Sequence, residues 1–156
     1  RRRHLGLGRR RRYELNGYNG GAIEAAGKLN VSYEGDNIVT NGDGRGIKVK
    51  DGANENAELN IQGDASSTLN VTSSRDAITS VGSINIDGAG TVNATSTEHD
   101  AIDAGGDVTI KGSGNVNATG DSDGIRPTAT SRSTTAEPSP PRPPRIRVSM
   151  LTRTSS

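Results

Sequence analysis

A repeat of about 24 residues in the middle of the chain restricts its fold more than any other feature. Residues 76–95 align with residues 100–119, and a further copy begins at Asp123. The Ile residues that open successive copies lie at positions 23, 47, 78, 102 and 125, with spacings of 24, 31, 24 and 23 residues. The longest unit carries its extra length around residues 51–58, where an insertion can bulge from a turn. A recurring period of this size indicates stacked structural repeats.

Each unit contains three short runs in which apolar and polar residues alternate, separated by glycine-containing corners. Alternation with a period of two is typical of strands. Three strands cannot bury a face alone, whereas stacked units bury a continuous column. A β-sandwich of hairpins is the alternative, but hairpins do not require strand positions to recur every 24 residues. We therefore predict an all-β chain that folds as a right-handed parallel β-helix of about four coils.

The charges divide the chain of 156 residues into three parts. Residues 1–12 contain seven Arg and no acid, residues 13–126 have a net charge of −10, and residues 127–156 have a net charge of +4. All six Pro lie at or after residue 127, and every Gly lies at or before residue 124. We predict a repeat domain at 13–126 between an Arg-rich disordered tail and a disordered tail rich in Pro, Arg, Ser and Thr. Because the chain begins with Arg, we regard it as a fragment or a processed piece.

The C-terminal tail is consistent with a shifted reading frame of the same repeat. One permitted coding of residues 126–138, with a single base inserted after the first codon, reads Arg-Ala-Asp-Gly-Asp-Val-Thr-Ile and resumes the repeat where it is expected. We therefore hypothesise that residues 127–156 are a frameshifted reading of a longer solenoid gene. The Arg-rich start could have the same origin, but its alternative frames do not decide the question.

Several classes of protein are excluded by composition. The chain has no Cys, so it contains neither a disulfide framework nor a cysteine-ligated zinc site. No apolar run approaches the ~18 residues of a transmembrane segment, and no signal-peptide hydrophobic region is present in this chain. The Arg runs are typical of nucleic-acid-binding proteins. However, the repeat domain is acidic, and the chain has only three aromatic residues, all Tyr, on which bases could stack. We expect no specific nucleic-acid binding.

The repeat motif resembles that of a known group of proteins. Residues 106–119 read Gly-Asp-Val-Thr-Ile-Lys-Gly-Ser-Gly-Asn-Val-Asn-Ala-Thr, and Asp-Ala-Ile or Asp-Gly-Ile opens each coil. This pattern is similar to bacterial secreted carbohydrate-binding β-helix proteins such as the clostridial polygalacturonate-binding family. Residues 35–40 and 44–49 resemble the first coils of those proteins, and the resemblance covers residues 13–126. It implies a non-catalytic, calcium-associated module that binds acidic sugars or acts as an adhesin, outside the cell or at the bacterial surface.

Acidic side chains recur at equivalent positions of successive coils, which lie about 4.8 Å apart. Carboxylates at that spacing raise one another's pKa unless a cation offsets their repulsion, and calcium is the natural candidate. The alternative is that each Asp caps its own corner through an Asx turn and stays solvated. The candidate calcium ligands are Asp76, Glu98, Asp100, Asp103, Asp121 and Asp123.

Basic residues of the repeat domain are the candidate ligands for a uronate carboxylate, with which Lys and Arg form charge-assisted hydrogen bonds. These residues are Lys28, Lys48, Lys50 and Arg75. They predict an extracellular module that binds an acidic polysaccharide or another cell-surface glycan. A purely structural surface stalk or adhesin repeat segment is the alternative.

Asn70, Asn93 and Asn117 recur in register and predict an outward ladder of hydrogen-bonded amides. Each also lies in an Asn-x-Ser/Thr pattern, the acceptor for N-glycosylation. Repeat geometry explains the recurrence more simply, because the spacing follows the coils. A Thr array for ice binding would need more than the single Thr per strand that we expect here.

Catalysis has little support in the sequence. Residues 45–48 resemble a basic substrate-binding motif of polygalacturonases, but neither a paired-Asp motif nor Gly-His-Gly accompanies them. The two histidines are His4, in the Arg tract, and His99, beside a corner Asp. A fragment of a pectin-active enzyme is therefore the least favoured alternative, and we predict a protein that is not an enzyme.

Overall fold

A computed structural model describes the backbone of residues 2–7, 10–128, 132–133 and 145–150, and the side chains of residues 11–128. These residues form three sheets. Sheet A contains β1 (Arg2–Leu7), β2 (Arg10–Asn16), β5 (Lys28–Glu34), β8 (Glu58–Gly63), β11 (Ser83–Gly88), β14 (Val108–Ile110) and β17 (Arg132–Ser133). Sheet B contains β3 (Asn19–Gly20), β6 (Asp36–Asn41), β9 (Thr68–Ser73), β12 (Thr91–Ser96), β15 (Asn115–Gly120) and β18 (Arg145–Met150). Sheet C contains β4 (Ile23–Ala26), β7 (Ile47–Lys50), β10 (Ile78–Ser80), β13 (Ile102–Ala104) and β16 (Ile125–Pro127).

From β2 to β16 the chain visits sheets A, B and C in turn, and equivalent strands of successive coils pair in parallel. The Ile residues that define the sequence repeat are paired from Ile23 through Ile125 in sheet C. This arrangement confirms the predicted parallel β-helix. Strands β2 to β16 form five complete coils, against the four or so expected, because the first coil begins within the Arg tract. Among the described residues, no helix is long and apolar enough to cross a membrane.

The structure describes three short strands within the two tails that we expected to be disordered. Strand β1 pairs antiparallel with β2, while β17 and β18 extend sheets A and B in parallel beyond the last complete coil. The open end of a sheet presents unpaired backbone groups to any extended segment. The other tail residues lie outside the described residues, so their predicted disorder and the frameshift remain predictions.

The core consists of columns of small aliphatic side chains, one from each coil. In sheet A, the column of Leu29, Leu59, Ile84 and Val108 is almost completely buried. Adjacent strand residues face outward, so each strand alternates between buried and more exposed positions. Burial of apolar surface contributes about 25 cal/mol per Å². Because a coil cannot retain this burial without its neighbours, stacking and folding are coupled.

Tyr33 is the largest departure from the aliphatic columns. Its ring lies where Gly63 of the next coil leaves space, and a Cβ atom at Gly63 would clash with the ring. Tyr33 is only 3% exposed, and burial raises the pKa of its hydroxyl to about 12. Gly63 is therefore required by packing at this position.

Asn37 is a polar residue inside the core. It is completely buried in a column that continues with Leu69, Val92 and Val116. Its Nδ2 donates to the carbonyl oxygens of Glu34, Gly35 and Thr68 at 3.0, 3.2 and 3.2 Å. Its Oδ1 accepts from the Tyr18 backbone N–H at 2.9 Å. The side chain thus satisfies backbone groups near the corners between sheets A and B in three successive coils.

Candidate binding groove

The outer face of sheet C carries a different residue in every coil. Glu24, Lys48, Thr79, Asp103 and Arg126 form one outward column in register. Repeat geometry does not account for a column whose charge changes from coil to coil. This face therefore carries side chains that are specific to single coils.

Two adjoining clefts lie along β4 and β7, in the first coils of this face. One has a volume of about 280 Å³ and includes Arg45 and Arg75, and the other has a volume of about 360 Å³ and includes Arg11 and Lys50. Glu24 and Lys48 line both clefts, so the two clefts adjoin each other and are treated as one surface. We call it the basic groove, after its five cations: Arg11, Arg45, Lys48, Lys50 and Arg75.

The cations of the basic groove differ in their ion pairs. Arg45 Nε lies 3.0 Å from Asp76 Oδ2, and Lys48 Nζ lies 3.9 Å from Glu24 Oε1, a carboxylate with a 68% exposed side chain. Lys50 and Arg75 are exposed and form no ion pair within 4 Å with residues 11–128. The groove therefore holds cations that are available to an anionic ligand.

A capped turn positions the corner end of the basic groove. Asn41 Nδ2 donates to the Arg45 carbonyl oxygen at 2.9 Å, and Asn41 Oδ1 accepts from the Asp43 backbone N–H at 3.1 Å. These two bonds close the turn that leads from sheet B into sheet C. The Arg45 backbone is consequently held at the start of β7, from which its side chain reaches Asp76.

The structure brings together three of the four basic residues predicted to bind a ligand. Lys48, Lys50 and Arg75 line the basic groove, whereas Lys28 lies on sheet A, with its Nζ 3.8 Å from Glu58 Oε2. Lys28 therefore lies on a different face from the other three, since β5 belongs to sheet A and β7 to sheet C.

Two groove cations were missing from the predicted set. Arg45 is the first residue of the motif 45–48, which ends with Lys48. Arg11 lies in the Arg-rich tract that we assigned to a tail. The signal for Arg11 was the period-two pattern of Arg11, Tyr13 and Leu15, which continues a strand back into the Arg tract.

An acidic strip occupies the same face further along the solenoid. Asp76 and Asp100 are buried, with side chains 9% and 6% exposed, and each pairs with an arginine. Arg126 Nη1 lies 3.4 Å from Asp100 Oδ2, and Asp100 Oδ1 accepts from the Asp123 backbone N–H at 2.9 Å. Burial, and then the charges of Asp76 and Asp100, raise the pKa of Asp103, while Arg126 and Arg45 oppose the rise. Arginines thus supply at least part of the compensating charge that we assigned to calcium.

The predicted calcium ligands do not form a compact donor set. Within residues 11–128, no three Asp, Glu or His side chains are grouped so that they could hold a metal ion. Glu98 is exposed, and the Asp123 contact to Asp100 is made by its backbone rather than its carboxylate. Calcium requires six to eight oxygen ligands, often including several carboxylates. The geometry of these side chains therefore does not support the calcium hypothesis.

The predicted amide ladder is present on the outer face of sheet B. Asn93 Nδ2 donates to Asn70 Oδ1 at 2.9 Å, and Asn117 Nδ2 donates to Asn93 Oδ1 at 2.8 Å. Since these amide nitrogens bond along the ladder, its geometry favours the structural interpretation over glycosylation. Strands β9 and β12 each carry two outward Thr, which corrects the expectation of one per strand; they are Thr68, Thr72, Thr91 and Thr95.

A second amide ladder on sheet A was not predicted. Asn60 Nδ2 donates to Asn30 Oδ1 at 3.0 Å, and Asn85 Nδ2 donates to Asn60 Oδ1 at 2.8 Å. The sequence signal was present, because an Asn lies between two aliphatic residues at 29–31, 59–61 and 84–86. The outer faces of sheets A and B therefore share one structural device.

Comparisons with protein-family models, curated proteins and solved structures found no match to this chain. The resemblance to polygalacturonate-binding proteins accordingly rests on the repeat motif alone.

Proposed function

We propose that this protein is a non-catalytic extracellular or cell-surface module of bacterial origin that binds an acidic polysaccharide in the basic groove. The observation that carries the proposal is the grouping of Lys48, Lys50 and Arg75 in two adjoining clefts of a domain whose net charge is −10. A local reversal of charge on an acidic domain is a feature that the repeat itself does not require. It matches a ligand that carries regularly spaced carboxylates.

The chemistry of the groove favours an anionic sugar over a neutral one. Its described lining includes no aromatic side chain, so the stacking surface on which a neutral sugar ring would pack is missing. Lys and Arg instead form charge-assisted hydrogen bonds to carboxylates, which are stronger than bonds between neutral groups. Specificity would thus depend on the charge and spacing of the uronate groups.

Binding through Lys and Arg does not require a metal ion. The carboxylate of a uronate can pair with Lys50 or Arg75 directly, because neither has a carboxylate partner within the described side chains. The role of calcium is therefore tested by measuring polygalacturonate affinity with and without the ion. We expect the affinity for polygalacturonate to be the same in EDTA and in calcium.

Isothermal titration calorimetry with polygalacturonate at low salt tests the proposal. We expect Lys48→Ala and Arg75→Ala each to weaken binding about fivefold to tenfold, since a partly exposed charge pair contributes roughly 1 kcal/mol. Added salt should weaken binding further, because it screens these pairs. A neutral polysaccharide should not bind.

Lys28→Ala is the matched control, because Lys28 is a lysine of the same domain that lies outside the groove, beside Glu58. It should bind polygalacturonate like the native chain. Equal losses in Lys28→Ala and Lys48→Ala would mean that binding follows net charge alone, and the groove would lose its role.

A structural stalk is the second candidate, and the amide ladders on sheets A and B favour it. They stiffen the solenoid along its axis without requiring a ligand. The two candidates differ in thermal unfolding. A ligand that binds only the native state raises the unfolding temperature, so polygalacturonate should stabilise a binding module and leave a stalk unchanged.

A further inference from the structure

We infer that the basic groove takes a short stretch of polyuronate that runs parallel to β7, across the solenoid, and not a long stretch along the solenoid axis. This inference rests on the proposed function and concerns the orientation and length of the ligand. Two features carry it: the direction in which the cations are arranged, and the charges that lie next to them along the axis.

Three of the five cations of the groove follow the direction of β7. Arg45 lies two residues before this strand, and Lys48 and Lys50 are its second and last residues. One cleft lies at the corner that leads from sheet B and includes Arg75, and the other lies at the opposite end of the strand and includes Lys50. A polyanion that contacts both clefts therefore has to follow β7.

Beyond Arg75, which lies at the corner of the next coil, the axial direction offers acids instead of cations. Next to Lys48 in its column come Thr79 and then Asp103. The Arg45 column continues through Asp76 to Asp100. Since neighbouring coils are about 4.8 Å apart, a polyanion that extends along the axis from Lys48 meets Asp103 within two coils. Asp103 forms no ion pair within 4 Å among residues 11–128, whereas Asp76 and Asp100 are buried beside arginines. Like charges at that distance repel the polyanion.

Arginines hold two acids of this strip in fixed positions. Asp76 and Asp100 are held in ion pairs with Arg45 and Arg126. In the opposite axial direction, β4 is the last strand of sheet C. The cationic part of the face is thus bounded on both sides along the axis and open only along β7.

The length of the groove sets the number of sugar units. At about 3.3 Å per residue, the five steps of backbone from Arg45 to Lys50 span at most about 17 Å, enough for roughly three hexuronate units. The preferred ligand is therefore an internal segment of about three uronates, with its carboxylates facing Arg75, Lys48 and Lys50 in turn.

Calorimetry of the full chain with galacturonate oligomers, from the monomer to the octamer, tests this inference. We expect the affinity to rise at least tenfold from monomer to trimer. A longer oligomer contains several overlapping three-unit segments, each of which can occupy the groove. When the affinity is divided by the number of these segments, it should change less than twofold from tetramer to octamer. Lys50→Ala should move the plateau to a shorter oligomer, because it removes one end of the groove.

Asp103→Asn distinguishes the two orientations, because it neutralises the axial path without touching the groove. If the ligand runs across the solenoid, Asp103→Asn should change the affinities for the trimer and the octamer by the same small factor. A selective gain for the octamer, or a native affinity that keeps rising beyond the tetramer, would overturn the inference while leaving the groove as the site. If no oligomer binds, or if Lys48→Ala has no effect, the proposed function itself fails.

Discussion

The outer faces of sheet B and sheet C have the same backbone and the same coil spacing, yet their side chains follow opposite rules. In sheet B, one residue type recurs down a column, as in Asn70, Asn93 and Asn117, and neighbouring amides bond to each other. In sheet C, the column through Lys48 and Asp103 changes charge from coil to coil. The first face stabilises the stack, and the second presents a pattern of charge to the outside.

This difference shows how function can be located in a repeat protein. A residue that recurs in register is explained by its equivalents above and below, since each forms bonds with the next. A residue that departs from its column needs another explanation. Lys48 and Arg45 depart from theirs, and they lie in the groove.

Asn37 provides the largest test of the claim that sheet B side chains stabilise the stack. It differs from the other residues of its column, and the hydrogen bonds of its side chain explain the difference. Asn37→Leu would restore the apolar residue found in later coils but remove its side-chain bonds to three carbonyls and to the Tyr18 N–H. Of these groups, the Gly35 carbonyl keeps its bond from the Thr68 N–H. We expect a loss of about 2–4 kcal/mol of unfolding free energy, measured by urea denaturation. Thr40→Ala, exposed on the same strand, is the control and should change stability by less than about 0.5 kcal/mol. An Asn37→Leu protein as stable as the native chain would show that these bonds are dispensable.

Asn93 tests the contrast between the two faces directly. Asn93→Ala removes the middle of the sheet B ladder, with both of its hydrogen bonds, and should cost about 1–2 kcal/mol of stability without changing polygalacturonate affinity. Lys48→Ala should do the reverse, with a stability change of less than about 0.5 kcal/mol, because its pair with Glu24 is exposed. Thr95→Ala is the control on the same strand as Asn93. Similar stability losses in Asn93→Ala and Thr95→Ala would remove the special role of the ladder.

Asp103→Asn should have the smallest effect on stability of the substitutions considered, and the size of this effect should depend on pH. The folded-state pKa of Asp103 is raised, so the folded protein holds this proton at pH values where the unfolded chain has released it. Its contribution to stability therefore falls as pH rises from the usual aspartate value of roughly 3.9 through the raised pKa. Asp103→Asn should raise the unfolding temperature slightly at pH 7, and the gain should disappear on acidification. A variant less stable than the native chain at pH 7 would show that the attraction of Arg126 and Arg45 prevails.

Much of the fold could be predicted because its determinants are periodic in the sequence. The spacing of Ile47, Ile78 and Ile102 sets which strands pair, and alternation within each strand sets which side chains face inward. The site was less predictable. Lys28 and Lys48 looked equivalent as lysines of a repeat domain, but they lie on different sheets. Their faces depend on where each corner falls, and the corner before β5 is marked only by Gly27.

The sequence by itself determined the register of the coils, the columns of the core and the amide ladder of sheet B, because each follows from a one-dimensional period. The tertiary structure alone decided that Arg11, Lys50 and Arg75, from three different coils, border one groove, and that arginines lie beside Asp76 and Asp100. The physical reason is that a period specifies which positions are equivalent. Contacts between positions that are not equivalent depend on side-chain reach and corner geometry, which exist only once the coils are stacked.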